Sequence, residues 1–153
     1  MMLLDTSGLL AALFRDQHRH LQCADALLAA DGPLLLSPFV LAELDYLVVK
    51  LAGVPVELEL LAEVVRGAYD LAELSPADID EARALIEQYA GLQIGLADAS
   101  IVVLSRRTGC LDLLTLDERH FRVLPGAGGK PFRILPAELS VCEPPAAAYG
   151  GRD

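Results

Sequence analysis

Short apolar strands alternating with helices predict an α/β domain: a mostly parallel sheet with helices on both faces. Two bulk properties agree. The apolar fraction is 54% and the mean hydropathy is positive, which excludes a disordered chain. The length of 153 residues suits one domain. Such a chain buries roughly 68–70% of its unfolded surface and needs no disulfide or metal staple. Ligand sites in these sheets lie at the carboxyl ends of the strands. Acidic residues that follow strands are therefore the first candidates for function.

Residues 2–4 form an apolar strand ending at Asp5. Asp5-Thr6-Ser7-Gly8 offers caps for a helix carrying Leu9, Leu10 and Leu13. Residues 15–19 read as a charged loop, with His18 and His20 solvated. Residues 20–30 read as a second helix, stopped by Asp31-Gly32-Pro33. Residues 34–36 are the next strand. Ser37-Pro38 supplies a cap and first helical residue for a helix over 39–51. That helix is apolar nearly all round and is expected to be deeply packed. A helix over 54–66 shows Glu57, Glu59 and Glu63 on its polar side, and residues 68–74 have strand character. Ser75-Pro76-Ala77-Asp78 is a capping-box start for a helix to about residue 90, which Gly91 ends. The next helix, over 94–107, carries Arg106 and Arg107 in its last turn, with Gly109 just beyond. Residues 111–116 and 132–135 are the last strands, separated by a loop at 125–129. The tail from Glu143, rich in proline and glycine, is expected to be mobile.

The formal charge is −10. This argues against passive phosphate binding, so a nucleic-acid role depends on local basic groups or on bound cations. No apolar run reaches the ~18 residues of a membrane span. The start, MMLLDTSGLLAALF, lacks the basic leader and cleavage site of a signal peptide. A cytoplasmic protein with no membrane association is expected. Cys23, Cys110 and Cys142 match neither a zinc motif nor a disulfide framework and are expected to be reduced, buried thiols.

Asp98 has Ile94, Gly95, Ile101 and Val102 three and four positions away, so on a helix it projects from an apolar stripe. Glu43 has Phe39, Val40, Tyr46 and Leu47 as such neighbours; Asp45 has Leu41, Ala42, Val48 and Val49. Two positions apart is about 200° of rotation, so Glu43 and Asp45 cannot share a face, and periodicity does not choose between them. Asp5 and Asp117 come at strand ends. Each alone could merely cap a helix or start a turn. A carboxylate on a buried face is costly unless something positive meets it. The only lysines, Lys50 and Lys130, lie far from Asp98 in sequence. A metal ion is a plausible counter-charge, and acids without a histidine ligand suit Mg2+ or Mn2+ better than zinc. Thr115 could direct its hydroxyl to the same site. Arg106, Arg107, Arg119 and Arg122 could meet phosphates, although helix-terminal arginines also complement the helix dipole. His120 reads as a surface residue.

The segments LLDTSGLLA, SPFVLAEL, GLADASIV and LLTLDERHF, in that order, resemble the PIN-domain family, and more closely the VapC toxins of bacterial toxin–antitoxin pairs. The resemblance covers residues 1–136 and leaves 137–153 as a C-terminal extension without a motif counterpart. It implies a PIN-like three-layer α/β/α fold with a short central sheet. It implies a metal site of Asp5, Glu43, Asp98 and Asp117, choosing Glu43 over Asp45, with Thr115 in support. The implied activity is a Mg2+- or Mn2+-dependent endoribonuclease that cleaves structured RNA, often transfer RNA. In-line attack of water would leave a 5′-phosphate and a 3′-hydroxyl. The implied assembly is a homodimer silenced by a small antitoxin protein. A non-catalytic PIN-like interaction domain is one alternative, but its signature is loss of an acid, and none is lost. A PIN nuclease of RNA processing without an antitoxin is another. A receiver or haloacid-dehalogenase-like phosphatase would need a well-placed lysine or Asp-x-Asp-x-Thr after the first strand, where this chain has Ser7.

Overall fold

The computed structural model describes residues 1–139. Five strands, β1 (Met2–Leu4), β2 (Leu34–Leu36), β3 (Asp70–Leu71), β4 (Asp112–Leu114) and β5 (Arg133–Leu135), form one parallel sheet in the order β3-β2-β1-β4-β5. The helices are α1 (Thr6–Leu13), α2 (His20–Leu28), α3 (Pro38–Ala52), α4 (Val54–Val65), α5 (Pro76–Gln88), α6 (Leu96–Thr108) and α7 (Glu118–Phe121). They make the expected three-layer α/β/α domain. β1 is central: Leu4 lies level with Leu36 of β2 and Leu114 of β4. Leu4, Leu36, Leu113, Leu114 and Ile134 are wholly buried. Their strands read as unbroken apolar runs because helices cover both faces of a parallel sheet.

The strand expected over 68–74 shrinks to Asp70–Leu71 at the sheet edge. It has one neighbour, itself only three residues long, and the ladder ends where Ala72 N donates to Leu36 O. After β4, Asp117 opens a short helix, α7. His20 is not in a solvated loop: it opens α2, and its Nδ1 lies 2.8 Å from Ala11 O. The capping box at Ser75 and Asp78 is formed, and Gly109 closes α6 in the left-handed region at φ 76°. Cys23 and Cys110 are free and buried, and burial pushes both thiols up. Cys142 and the tail from Glu143 lie outside the described residues. Among the described residues no helix is long and apolar enough to cross a membrane.

The largest departure concerns which helix is deepest. α3 is not packed all round. Val40, Leu44 and Val48 are buried, but Tyr46 is 64% exposed and Leu51 53%. A helix in an outer layer offers the core only one stripe, whatever its other faces carry. α6 takes the deep position instead, with Ala99 through Ser105 all buried. It begins at Leu96, later than expected, because Gln93 breaks the chain with φ 57° and Gly95 serves as N-cap. Two buried serines pin α6 to α3. Ser37 caps α3 by accepting from Phe39 N, and its Oγ lies 2.7 Å from Ser100 Oγ. Ser100 donates to Ala97 O, so the remaining proton must run from Ser37 to Ser100. This contact sets the starts of the two helices that carry Glu43 and Asp98.

The one-sided packing of α3 predicts unequal costs. Leu44→Ala should lower stability by about 2–5 kcal/mol, whereas Tyr46→Ala should cost about 0.5 kcal/mol or less. Urea unfolding of both variants checks this; similar losses would mean that α3 is buried on all sides.

Candidate active site

From β1 the chain moves outward to β2 and β3, then returns to the other side of β1 for β4 and β5. Strand order therefore reverses between β1 and β4, and a crevice forms beyond the carboxyl ends of strands at such a point. An open cleft of about 540 Å³ lies there. Its lining includes Asp5 after β1, Glu43 of α3, Asp98 of α6 and Asp117 after β4. Four segments far apart in sequence thus bring all four expected acids to one place.

Asp5 sits deepest, at 5% exposure. It is the N-cap residue of α1, yet its side chain makes no capping bond. Instead its Oδ2 accepts from Ser7 Oγ at 2.6 Å and Thr115 Oγ1 at 2.7 Å. Each hydroxyl accepts in turn from the loop after β4: Leu116 N donates to Ser7 Oγ at 3.0 Å, and Asp117 N to Thr115 Oγ1 at 2.9 Å. Both hydroxyl protons are committed to Asp5, so the 3.2 Å approach of the two hydroxyls is a contact rather than a further bond. Gly8 allows α1 to lie this close. A Cβ there would stand 2.5 Å from Leu114 O.

Glu43 accepts from Thr6 Oγ1 at 2.6 Å, which turns it toward β1. Asp45 leaves α3 on the other side, beside Glu57 of α4. The Glu57 carboxyl is pushed up by desolvation and by that neighbour. Geometry therefore chooses Glu43 for the cleft. Asp98 stands in the first turn of α6, where its Oδ2 accepts from Gly95 N at 3.0 Å. Its neighbours Ile94, Ile101 and Val102 are buried, as the apolar stripe predicts, although Gly95 precedes the helix and caps it, and Asp98 itself lines the cleft. Asp117 caps α7, accepting from His120 N at 3.1 Å. The modest local reading of Asp117 and the functional one thus coexist: one oxygen caps and the other faces the cleft.

Sequence reasoning passed over Thr6, Ser7 and His120. His120 is not a surface residue. Its Nδ1 lies 3.3 Å from Asp98 Oδ2 and 3.0 Å from Asp117 Oδ2. The nitrogen is buried, and neither oxygen is placed to complete a well-angled hydrogen bond with it. The three-residue step from Asp117 to His120 would have signalled a shared face had the turn been recognised as helical. Ser7 and Thr115 each stand two residues from an aspartate, a spacing visible in sequence but without meaning until β1 and β4 are known to be neighbours. Of the arginines considered for phosphate, Arg106 pairs with Glu81, Arg107 with Asp78, and Arg122 with Glu118 and Glu138.

Burial pushes the Asp5 carboxyl above its ordinary 3.8; the Ser7 and Thr115 hydroxyls oppose this and the Asp98 charge adds to it. Burial likewise raises Asp98, with the Gly95 amide and His120 opposing and Asp117 and Glu43 adding. Among the described residues no three aspartate, glutamate, histidine or cysteine side chains stand close enough to hold one ion as they lie. The chemistry of the donors nevertheless fits a hard cation. Carboxylate oxygens dominate, two are desolvated, and a buried ring nitrogen without a partner stands between two of them.

These raised values carry a sign for stability. Between the ordinary carboxylate value and the raised folded values, the folded chain retains protons on Asp5 and Asp98 that the unfolded chain has released. Stability therefore falls as pH rises from the unfolded carboxylate value through the raised folded values, and the loss is complete above them. In chelator, the melting temperature of the wild type should climb as pH is lowered from neutral toward the acid range. The double variant Asp5→Asn, Asp98→Asn should climb less. Parallel profiles would show that these carboxyls are not strained by their surroundings.

A family model described as the PIN domain matches residues 2–126. Ribonuclease VapC26 of Mycobacterium tuberculosis is 40% identical over 135 residues, which is 88% of this chain and 100% of the relative. The crystal structure of Mycobacterium tuberculosis VapC20, a sarcin–ricin loop cleaving toxin, matches with a TM-score of 0.73 over 78% of this chain and 92% of that one. At 16% identity that likeness is one of fold. With most of its length matched by the family model and a full-length relative at this identity, the chain belongs to the PIN-domain family, among the VapC-type ribonucleases.

Proposed function

We propose that this chain is a Mg2+- or Mn2+-dependent endoribonuclease acting as the toxin of a toxin–antitoxin pair in the cytoplasm, with residues 1–136 as the nuclease domain. The observation that carries the reading is the arrival of Asp5, Glu43, Asp98 and Asp117 in one cleft at the strand-order reversal. Those four side chains would hold the cation. Bound there, it supplies Lewis acidity, activates water and screens a phosphodiester from the protein's own charge. The remaining work belongs to this chain. Ser7 and Thr115 fix the Asp5 carboxylate, Thr6 holds Glu43, and the Gly95 amide orients Asp98. In-line hydrolysis of structured RNA, transfer RNA among the candidates, would leave a 5′-phosphate and a 3′-hydroxyl.

Purified wild type should cut RNA with added Mg2+ or Mn2+ and stop in chelator. Asp98→Asn and Glu43→Gln should be inactive, and Asp45→Asn active. Thr115→Ala should lose roughly 10–100-fold, the usual cost of removing a hydrogen bond behind a metal-binding group. Gel assays with contaminating nucleases excluded decide it. Equal activity of wild type and Asp98→Asn would overturn the reading.

The apolar surface left on α3 and α4 supports a partner. Tyr46, Leu51, Val54, Leu58 and Val65 are exposed. Nearby, Leu13, Phe14, Val48, Val56 and Leu60 line a groove of about 240 Å³ rimmed by Glu59 and Glu63. This surface would serve a homodimer and an amphipathic antitoxin segment whose basic side chain reaches the acidic cleft. Co-expression with a small open reading frame directly upstream should give a complex that copurifies and no longer cleaves RNA. Mutating the partner's arginine should restore cleavage. A chain harmless when expressed alone, with no neighbouring product bound, would remove the toxin role while leaving the nuclease.

A further inference from the structure

The acids make up only part of the cleft. The rest of its lining includes Leu10 of α1, Leu47 of α3, Leu96 at the start of α6, and Gln93. Leu96 is 37% exposed, and Leu10 and Leu47 are half-buried. Gln93 adopts φ 57° and ψ 40°, a left-handed conformation that glycine or asparagine would take more readily. The backbone there closes a short 3-10 turn, with Gln93 N donating to Ala90 O. That task asks for no glutamine side chain.

The side chain has a different distinction. It is exposed and lines the cleft, where its amide offers two donor hydrogens and an acceptor oxygen. The hydroxyls at the cleft are committed, Thr6 to Glu43 and Ser7 to Asp5. Gln93 is thus an exposed neutral amide available to a ligand, in one cleft with the apolar residues and the carboxylates.

We infer that Gln93, with the shelf of Leu10, Leu47 and Leu96, forms a nucleobase subsite that sets the base preferred next to the cut. This rests on the ribonuclease reading above. The occupant is an unpaired base of the substrate RNA, splayed from its stack so that a face lies on the leucines and an edge meets the amide. Single-stranded RNA is read in this manner, by hydrogen bonds to base edges and by packing of base faces. A neutral amide suits the task in a cleft rich in carboxylates, because it reads an edge without adding charge beside the phosphate.

The test uses the full chain with Mn2+ and a pool of short stem-loop RNAs whose loop is randomised, with sequencing of the ends produced. Wild type should show a preference for one base at a fixed position beside the cut. Gln93→Gly suits the backbone and removes only the side chain. It should reduce the ratio of kcat/KM between preferred and disfavoured bases by roughly 5-fold or more, the range for loss of one bidentate base contact. Leu96→Ala should raise KM more than it lowers kcat on the preferred RNA. A preference unchanged in Gln93→Gly, or a wild type that cuts all loop bases alike, overturns the subsite while the nuclease stands. A wild type no more active than Asp98→Asn overturns the nuclease, and the subsite with it.

Discussion

A single buried carboxylate ties the end of β1 to the loop after β4. Asp5 ends β1, and the hydroxyls that hold it belong to Ser7 on its own segment and Thr115 just past β4. Both hydroxyls also receive amides from the β4–α7 loop. The bonds satisfy a group whose burial would otherwise be costly. They also fix where the loop carrying Asp117 begins. Removing either hydroxyl would loosen the cleft without touching the hydrophobic core, so the polar cluster and the apolar core hold different things in place.

The arrangement is strained by its own charge. Asp5 and Asp98 are raised by burial and by neighbouring acids, and His120 is the cation-capable side chain lying between Asp98 and Asp117. A chain of formal charge −10 that places four acids together has accepted a locally unfavourable field. Such clusters recur where a site must attract cations, since perturbed carboxyls concentrate at functional positions. The three arginines tied to Glu81, Asp78, Glu118 and Glu138 do not relieve it; two join the end of α6 to α5, and the third joins α7 to Glu138.

The unequal burial of α3 and α6 separates stability from interaction. α6 is deep along much of its length and starts at the cleft, so Asp98 is carried by an element anchored in the core. α3 gives the core a narrow stripe and keeps apolar residues on its surface. Exposed apolar surface of this kind is where the proposed partner would dock.

The sequence by itself determined the α/β class, four of the five strands to within two residues at each end, and the helix caps at Ser37, Ser75 and Gly109, because these depend on local propensity and short-range bonds. It also singled out Asp5, Glu43, Asp98, Asp117 and Thr115, though the preference for Glu43 over Asp45 came from the family resemblance. Tertiary structure alone decided the rest. Helix period could not say which side of α3 faces β1, and the Thr6 bond to Glu43 shows it. Hydropathy could not rank α3 against α6, because burial depends on the layer in which a helix lies. The spacing of Ser7 from Asp5 gained meaning only when β1 and β4 became neighbours, and the step of three from Asp117 to His120 only when the segment after β4 proved helical, because both signals depend on structure that local propensity does not set.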